Sequence, residues 1–382
     1  MATDDAPAGM GSLRLVRANR SFRMLWTART VSFLGDSLSL VALLLYVAAS
    51  TGHASAVALL LLVGDFAPAL LGPLTGTISD RFDLKRIMVG CEAAQGALAV
   101  VIALWLPSLS LLLVLVALRA TAGKIFQPAS RAAVPDVVRQ QDLQGANAAI
   151  GIGTNGGEAL GPLLVAILFP LMGVRGVLLL DAATFLLSAI LLALLPLPAR
   201  APQTDTERRG FWRDTTAGLR YIAATPLIRA IGFGSFAIVA FNGIDDIALV
   251  FLATGTLRGG TSAAGVLLAA VGIGLFIGYA LLAQPHRIGL LSLLLAGFAI
   301  SSAGNLFTGL VWAIAAAFVV QTLRGLGIAA MDIAVNTLLQ TNVPRILLGR
   351  VFGSLYATIG IAAALHRSPP KASPMHKPKG FT

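Results

Sequence analysis

Charge is what this chain has least of. Of its 382 residues only 12% are Asp, Glu, Lys or Arg, against 57% hydrophobic, and the mean hydropathy is +0.84. A soluble domain carries about 25% charged residues, so a water-soluble globular fold is excluded before any motif is considered. Cysteine is reduced to Cys91, which excludes a disulfide framework and a thiolate metal cluster. The four histidines are scattered, with no metal-ligand spacing among them. No Gly-x-x-x-x-Gly-Lys-Ser/Thr segment occurs, so ATP is not the energy source, and no cofactor is implied. No nucleophile–base pair stands out either, which argues against an intramembrane enzyme.

What is present is a succession of apolar runs about as long as a bilayer crossing needs, roughly 20 residues each. They lie near 25–50, 56–78, 87–106, 108–127, 146–170, 174–195, 228–254, 262–283, 288–308 and 310–332, and an eleventh begins near 350. Ala54-Ser55-Ala56 resembles a signal-peptide cleavage site, but the preceding apolar core is too long and too many spans follow. The net charge of +11 is topological. Arg14, Arg17, Arg20 and Arg23 precede the first run, and Arg81, Lys85 and Arg86 follow the second. Arg131 and Arg139 follow the fourth, Arg200, Arg208, Arg209, Arg213 and Arg220 the sixth, and Arg345 and Arg350 the tenth. The opposite loops hold Arg175 and Arg258. This bias places the N-terminus in the cytoplasm of a multi-pass protein and removes the case for a nucleic-acid partner. The predominance of Arg, Ala, Gly and Leu suits a GC-rich bacterial genome, hence a bacterial cytoplasmic membrane.

The expected organisation is a six-span bundle over 1–195, a cytoplasmic linker over 196–227, an incomplete second bundle over 228–365 and a tail over 366–382. The linker carries Pro196, Pro198 and Pro202 and an amphipathic stretch near Phe211–Ile222. Leu118-Arg119 and Leu323-Arg324 form a weak internal repeat, as do Arg81 and Arg287. The eleventh run reads as about Val351 to Leu365, fifteen residues and short of a crossing, before His366-Arg367-Ser368-Pro369-Pro370-Lys371. No twelfth run follows. Lys371, Lys377 and Lys379 crowd a segment of quite different composition, which suggests an out-of-frame or truncated end; a genuine cytoplasmic tail is the alternative.

Several polar groups fall inside the runs. Arg119 lies deep in the fourth, at a depth similar to Asp36 in the first, which makes Asp36 its expected counter-ion. A proton or substrate switch and a purely structural ion pair both fit. Glu158 in the fifth run is a second proton-carrier candidate, while Asp245 and Arg324 are further cavity candidates. Asp65, Asn242, Asp246, Asp332 and Asn336 complete the intramembrane set, the last two near the cytoplasmic end. Glu92 reads as a boundary residue paired with Lys85 or Arg86, and Asp181 as a satisfied structural group. Gly153, Gly157 and Gly161 recur every four residues and form a smooth helix stripe ahead of Pro162, with Gly274 and Gly278 as the expected facing stripe. Ordinary helix packing would explain the glycines alone.

The loop Gly76-Thr77-Ile78-Ser79-Asp80-Arg81-Phe82-Asp83-Leu84-Lys85-Arg86 resembles the signature loop of the major facilitator superfamily, Gly-x-Leu-Ala-Asp-Arg-x-Gly-Arg-Lys, with Asp83 where that family usually has Gly. Gly153–Pro162 resembles the span-five motif of its antiporters, with Val165-Ala166 replacing the usual Gly-Gly, and Arg119-Ala120-Thr121-Ala122-Gly123 resembles their Arg-x-x-Gln-Gly. Phe126–Pro135, Ala146-Asn147-Ala148 and Gly349-Arg350-Val351-Phe352-Gly353 look like the branch holding the enterobactin exporter and macrolide or multidrug efflux proteins. The resemblance implies an all-α major facilitator fold of two six-helix bundles, here with ten full spans, a partial eleventh and no twelfth. It implies a monomeric secondary exporter in a lipid bilayer, exchanging protons for a small hydrophobic or amphipathic substrate such as a drug or siderophore-like metabolite. It also implies a cytoplasmic gate in which Asp80 meets the start of the eleventh span. An importer of the same superfamily, and a non-transporting truncated remnant or sensor, are the rivals.

Overall fold

The computed structural model describes residues 10–69, 71–198, 211–252, 260–284 and 288–367. The described backbone is helical with short joints, the form in which a chain in hydrocarbon satisfies its own peptide groups. A short α1 (Ser12–Ala18) leads into α2 (Arg20–Thr51), whose start is capped by the Asn19 side chain accepting from the Phe22 N–H. The second apolar run is divided into α3 (Ala54–Ala69) and α4 (Gly72–Arg81). α5 (Leu84–Trp105) begins on Asp83, whose carboxylate accepts from the Arg86 N–H at 2.9 Å. That N-cap is the physical reason for an acid at the position where the signature loop usually has glycine.

α6 (Leu109–Val137) is followed by α7 (Leu143–Leu194), 52 residues interrupted at Gly173. There φ is +64° and ψ is −175°, a left-handed-side conformation that a side chain rarely tolerates. The break falls between the fifth and sixth expected spans, so α7 is two limbs of one hairpin. α8 (Phe211–Ala224) and α9 (Pro226–Phe251) meet at a bend of 103° around Thr225. α10 (Gly260–Leu282), α11 (Leu290–Thr308), α12 (Ile314–Asn342) and α13 (Leu348–Arg367) complete the series.

The expected ten full spans are not recovered. Among the described residues six helices are long and apolar enough to cross a membrane, or seven if the bent α8–α9 pair counts as one. Part of the difference is the α7 hairpin, which carries two expected spans in one helix; residue 70 in the second run and residues 253–259 after the seventh lie outside the described residues. α13 extends from Leu348 to Arg367, twenty residues where about fifteen were expected, and is not among the six. Residues 199–210 of the linker and 368–382 of the tail lie outside the described residues.

Two packing seams organise the bundle. The first joins α2 to α7. A Cβ on Gly153 would sit 2.1 Å from Thr30 Oγ1, one on Gly157 3.2 Å from the Leu34 backbone, and one on Gly161 2.1 Å from Ser37 Oγ. Both series ascend, so α2 and the first limb of α7 run parallel with their backbones nearly touching. The expectation that Gly274 and Gly278 face this stripe is corrected. They belong to the second seam, where a Cβ on Gly274 would lie 1.9 Å from the Thr322 carbonyl oxygen and one on Gly278 2.7 Å from Ala329 Cβ. Each stripe thus has its own partner inside its own set of helices, α7 on α2 and α10 on α12.

The second seam yields a stability prediction. Gly274→Ala drives a methyl into backbone that cannot yield, at an overpacking cost of about 1–3 kcal/mol. Gly90→Ala, where nothing lies within 4 Å, is the matched control. We expect Gly274→Ala to lower the thermal unfolding midpoint of the purified protein and Gly90→Ala to leave it unchanged or raise it. Equal midpoints for the two variants would contradict the seam.

Candidate functional site

The depth of a residue along a helix decides which buried charges can meet. Arg119 lies about 15 Å and Asp181 about 12 Å from the ends of α6 and of the second limb of α7 that face away from the N-terminus. The two carboxylates that reach Arg119 Nη2 are Asp36 on α2, at 2.7 Å, and Asp181, at 2.6 Å. Gly35 permits the approach: a Cβ there would lie 2.0 Å from Thr184 Oγ1 and 2.5 Å from Asp181 Oδ1. The guanidinium also sits over the Phe185 ring, 5.1 Å from its centroid.

The two acids are not equivalent. The Asp181 side chain is 0% exposed and is further held by the Ser39 hydroxyl, which donates to its carboxylate, whereas the Asp36 side chain is 58% exposed. Asp36 borders a cavity of about 160 Å³ together with Gln95, Arg119, Lys124 and Gln127, walled on its apolar side by Leu40, Leu43 and Leu60. Arg119 therefore carries one enclosed partner and one partner open to the cavity. Sequence reasoning paired Asp36 with Arg119 and read Asp181 as a satisfied structural group, which it is, but did not identify its partner. The missing signal was depth arithmetic between α6 and α7, which run to the same level.

The second cluster joins helices at the end of the bundle that carries α1, called the gated end after the gate that the signature-loop resemblance implies. Asp80 Oδ1 accepts from the Gly349 N–H at 2.8 Å and Oδ2 from the Arg350 N–H at 2.9 Å, with Arg350 Nε 3.6 Å away. Those are the first peptide groups of α13, whose N–H bonds point out of the helix and whose dipole favours an anion. Gly76 makes room, since a Cβ there would be 2.5 Å from the Gly349 carbonyl oxygen. Arg81 and Lys85 are half-buried beside this contact and Arg86 is exposed. α8 covers it, with Gly218 packed on Arg350.

Further bonds join the same two sets of helices at the gated end. Asn147 Nδ2 donates to Thr337 Oγ1 and Gln340 Oε1, at 3.0 and 2.7 Å. Gln340 Nε2 donates to the Arg131 carbonyl, and Arg345 meets Asp136 at 2.8 Å. Arg131, expected as a loop cation, is buried at 7% exposure and lies 3.8 Å from Asp332. Asp332, expected as a solvated end residue, also accepts from the Tyr279 hydroxyl at 3.0 Å. The reason for both corrections is the same: helices from both sets converge here and exclude water.

Glu92 is also corrected. It is 1% exposed on the inner face of α5, among Ser188, Ser32, Asp36 and Arg29, and not at the boundary with Lys85 or Arg86. Arg324 is buried in α12 and donates to Gln321 Oε1 at 2.9 Å, and Gln321 bonds Thr308. It is not brought to Asp36 or Arg119. The side chains of Asp65, Glu158, Asn242, Asp245 and Asp246 lie outside the described residues. Pro162 lies inside α7, next to Gly161 of the stripe.

Comparison with known proteins bears on the chain as a whole. The profile of the Major Facilitator Superfamily matches residues 25–365. The uncharacterised MFS-type transporter YfiS of Bacillus subtilis (strain 168) is 28% identical over 92% of this chain and 86% of its own length. Macrolide efflux protein A of Streptococcus pyogenes is 23% identical over 52% of this chain, and the match spans only half of that protein. Among solved structures, the human organic anion transporter MFSD10 (TETRAN) superposes with a TM-score of 0.74 over 91% of this chain and 92% of its own, at 20% identity, a likeness of fold.

The capping geometry of Asp80 generates the second prediction. An amide in its place keeps one acceptor but turns a donor toward a donor, and hydrogen bonds to a charged group are worth about 1.5–3 kcal/mol. Asp80→Asn should loosen the gated end while leaving expression largely intact. Spin labels at Gln140 and Ile346, in a Cys91→Ser background, should report a longer separation across that end in Asp80→Asn than in the parent. An unchanged distance distribution would remove Asp80 from the closure.

Proposed function

The chain belongs to the Major Facilitator Superfamily and is a multi-pass membrane transporter of small molecules, and from that premise we propose a proton-coupled exporter of the cytoplasmic membrane. Its cargo is a hydrophobic or amphipathic small compound, with macrolide-like drugs and siderophore-like metabolites as the leading classes. The N-terminus and the gated end face the cytoplasm, in line with the arginine distribution, and the helices form two bundles of the six-plus-six plan working as a monomer. Ten spans, residues 1–195 and 228–365 as the bundles, and 196–227 as the linker belong to this reading.

One observation carries it: Arg119 is shared between an enclosed acid, Asp181, and a cavity-facing acid, Asp36. When a proton or a cationic substrate takes Asp36, Arg119 keeps Asp181, so the buried cation is never left alone. Breaking a buried pair outright would cost about 3–5 kcal/mol. The fixed second acid makes the cavity acid exchangeable at lower cost. Asp80 then acts as the cytoplasmic latch, with Gly76, Arg81, Lys85 and Arg86 around it. Glu158, Asp245 and Arg324 remain candidates for contact with cargo or protons. The span-five stripe Gly153, Gly157, Gly161 with Pro162, and the similarity to a macrolide efflux protein, favour export.

Inside-out vesicles energised to an acidic interior test the reading. With erythromycin or ethidium as probe, we expect accumulation inside and release of interior protons as the probe enters. Asp36→Asn should lower the proton-driven rate at least about tenfold, the equivalent of roughly 1.4 kcal/mol of lost coupling. Probe movement in the opposite direction would convert the protein into an importer, and proton-independent flux would end the antiport reading.

A further inference from the structure

Behind Asp36 the cavity continues. A second pocket of about 50 Å³ shares Asp36, Gln95, Gly123 and Gln127 with the first and ends on Ser32 and Glu92. Its volume is enough for one or two water molecules, since one occupies about 30 Å³ in the liquid. Glu92 closes it from α5 at 1% exposure, beside the Ser188 and Ser32 hydroxyls, and among the described residues its Oε2 has no hydrogen-bond partner. Counted along α2, Ser32 lies one turn and Arg29 two turns nearer the gated end than Asp36. Glu92 is therefore placed between the cavity acid and the closed layer formed by Arg131, Asp332 and Tyr279.

A buried carboxylate oxygen with no donor is an expensive arrangement, and an acid that persists there needs a use for it. The groups around it fit a station that is filled and emptied. From α2 come Arg29 and Asp36, from α5 Cys91, and from α7 the Ser188 hydroxyl. α6 brings Arg119 and Lys124 to the adjoining cavity, where Asp181 already engages Arg119. Arg29 spends its Nη1 on the Ser130 hydroxyl and lies over the Phe33 and Phe126 rings, 5.5 and 6.0 Å from their centroids. Among the described residues its Nε is without a hydrogen-bond partner. A buried cation and a buried acid, each incompletely bonded, thus sit at one level on α2 and α5.

We propose that Glu92 is a proton-loading site, receiving a proton from the cavity side by way of Asp36 and Ser32 and releasing it toward the gated end when that end opens. The step moves one proton between carboxyl groups through water or hydroxyl oxygens, and the Glu92 carboxylate gains and loses the same proton in each cycle. Arg29 is the positioning residue that stabilises the emptied carboxylate. The inference rests on the proton-coupled reading above and extends it to a second acid on a different helix.

The test uses the full-length chain reconstituted in lipid, and it is read without any cargo first. Infrared difference spectra between acid and alkaline buffer should contain a protonated-carboxyl C=O component that disappears in Glu92→Gln and persists in Asp36→Asn. A spectrum unchanged by Glu92→Gln overturns the proposal, because a proton-loading site must itself take up and release a proton. The second readout uses erythromycin as probe. Glu92→Gln should lose net proton-driven movement at least tenfold while retaining exchange of labelled for unlabelled erythromycin, which needs no proton transfer. Equal loss of both would assign Glu92 to cargo binding or packing and also overturn the proposal. Should Glu92→Gln fail to yield monodisperse protein, Glu92→Asp keeps the carboxyl; it should shift the band and retain flux, and an unshifted band overturns the proposal. If the parent shows no proton-driven flux, the exporter reading falls, yet the infrared band still decides the role of Glu92.

Discussion

A guanidinium in a medium with little water cannot be left to itself, and that constraint arranges most of this molecule. Arg119 needs acids at its own depth, so α2 and the second limb of α7 must both approach α6 closely enough for carboxylates to reach it. Gly35 and the 153/157/161 stripe exist in service of that approach, since any side chain at these positions would hold the helices apart. The same logic operates at the gated end with the charges reversed. There a carboxylate, Asp80, finds its counter-charge in the first peptide groups of α13, and Gly76 supplies the clearance.

The membrane class, the Asp36–Arg119 pairing and the Asp80 loop were legible because each is a short-range or compositional signal. Low charge and long apolar runs report on the solvent. An arginine and an aspartate at similar depth within apolar runs have few alternatives to meeting each other. What could not be read was which helix faces which. The stripe at Gly153, Gly157 and Gly161 is visible in one dimension, but its partner, Thr30 to Ser37, is a set of ordinary residues with no periodic mark. Gly274 and Gly278 looked like a match only because they were glycines; their real neighbours are backbone atoms of α12.

The misplaced charges failed for a related reason. Arg131, Asp332 and Glu92 all fall near the ends of apolar runs in the sequence, where solvent is the ordinary expectation. Convergence of helices from both sets at the gated end turns those ends into interior, as the bonds from Asn147 and Gln340 make plain. Burial of this kind is a property of assembly. Asp181 was legible as a satisfied structural group, but not its partner, a neighbour 62 positions away that shares its level. The break between the fifth and sixth runs was legible, and α7 folds back there at Gly173; the full count of ten is not confirmed among the described residues.

The α7 hairpin has a mechanical consequence for Asp36. Its first limb grips α2 at Thr30, Leu34 and Ser37, and its second limb grips the same helix at Gly35 and Ser39. A rod clamped along two of its flanks can neither spin nor slide on its own. Asp36 therefore leaves or rejoins Arg119 only by swivelling about its own side-chain bonds, a picosecond-to-nanosecond event, while every slower displacement carries α2, α7 and both acids along together. In the proposed cycle, fast ion exchange and slow reshaping of the bundle would thus be kept apart by a single folded-back helix.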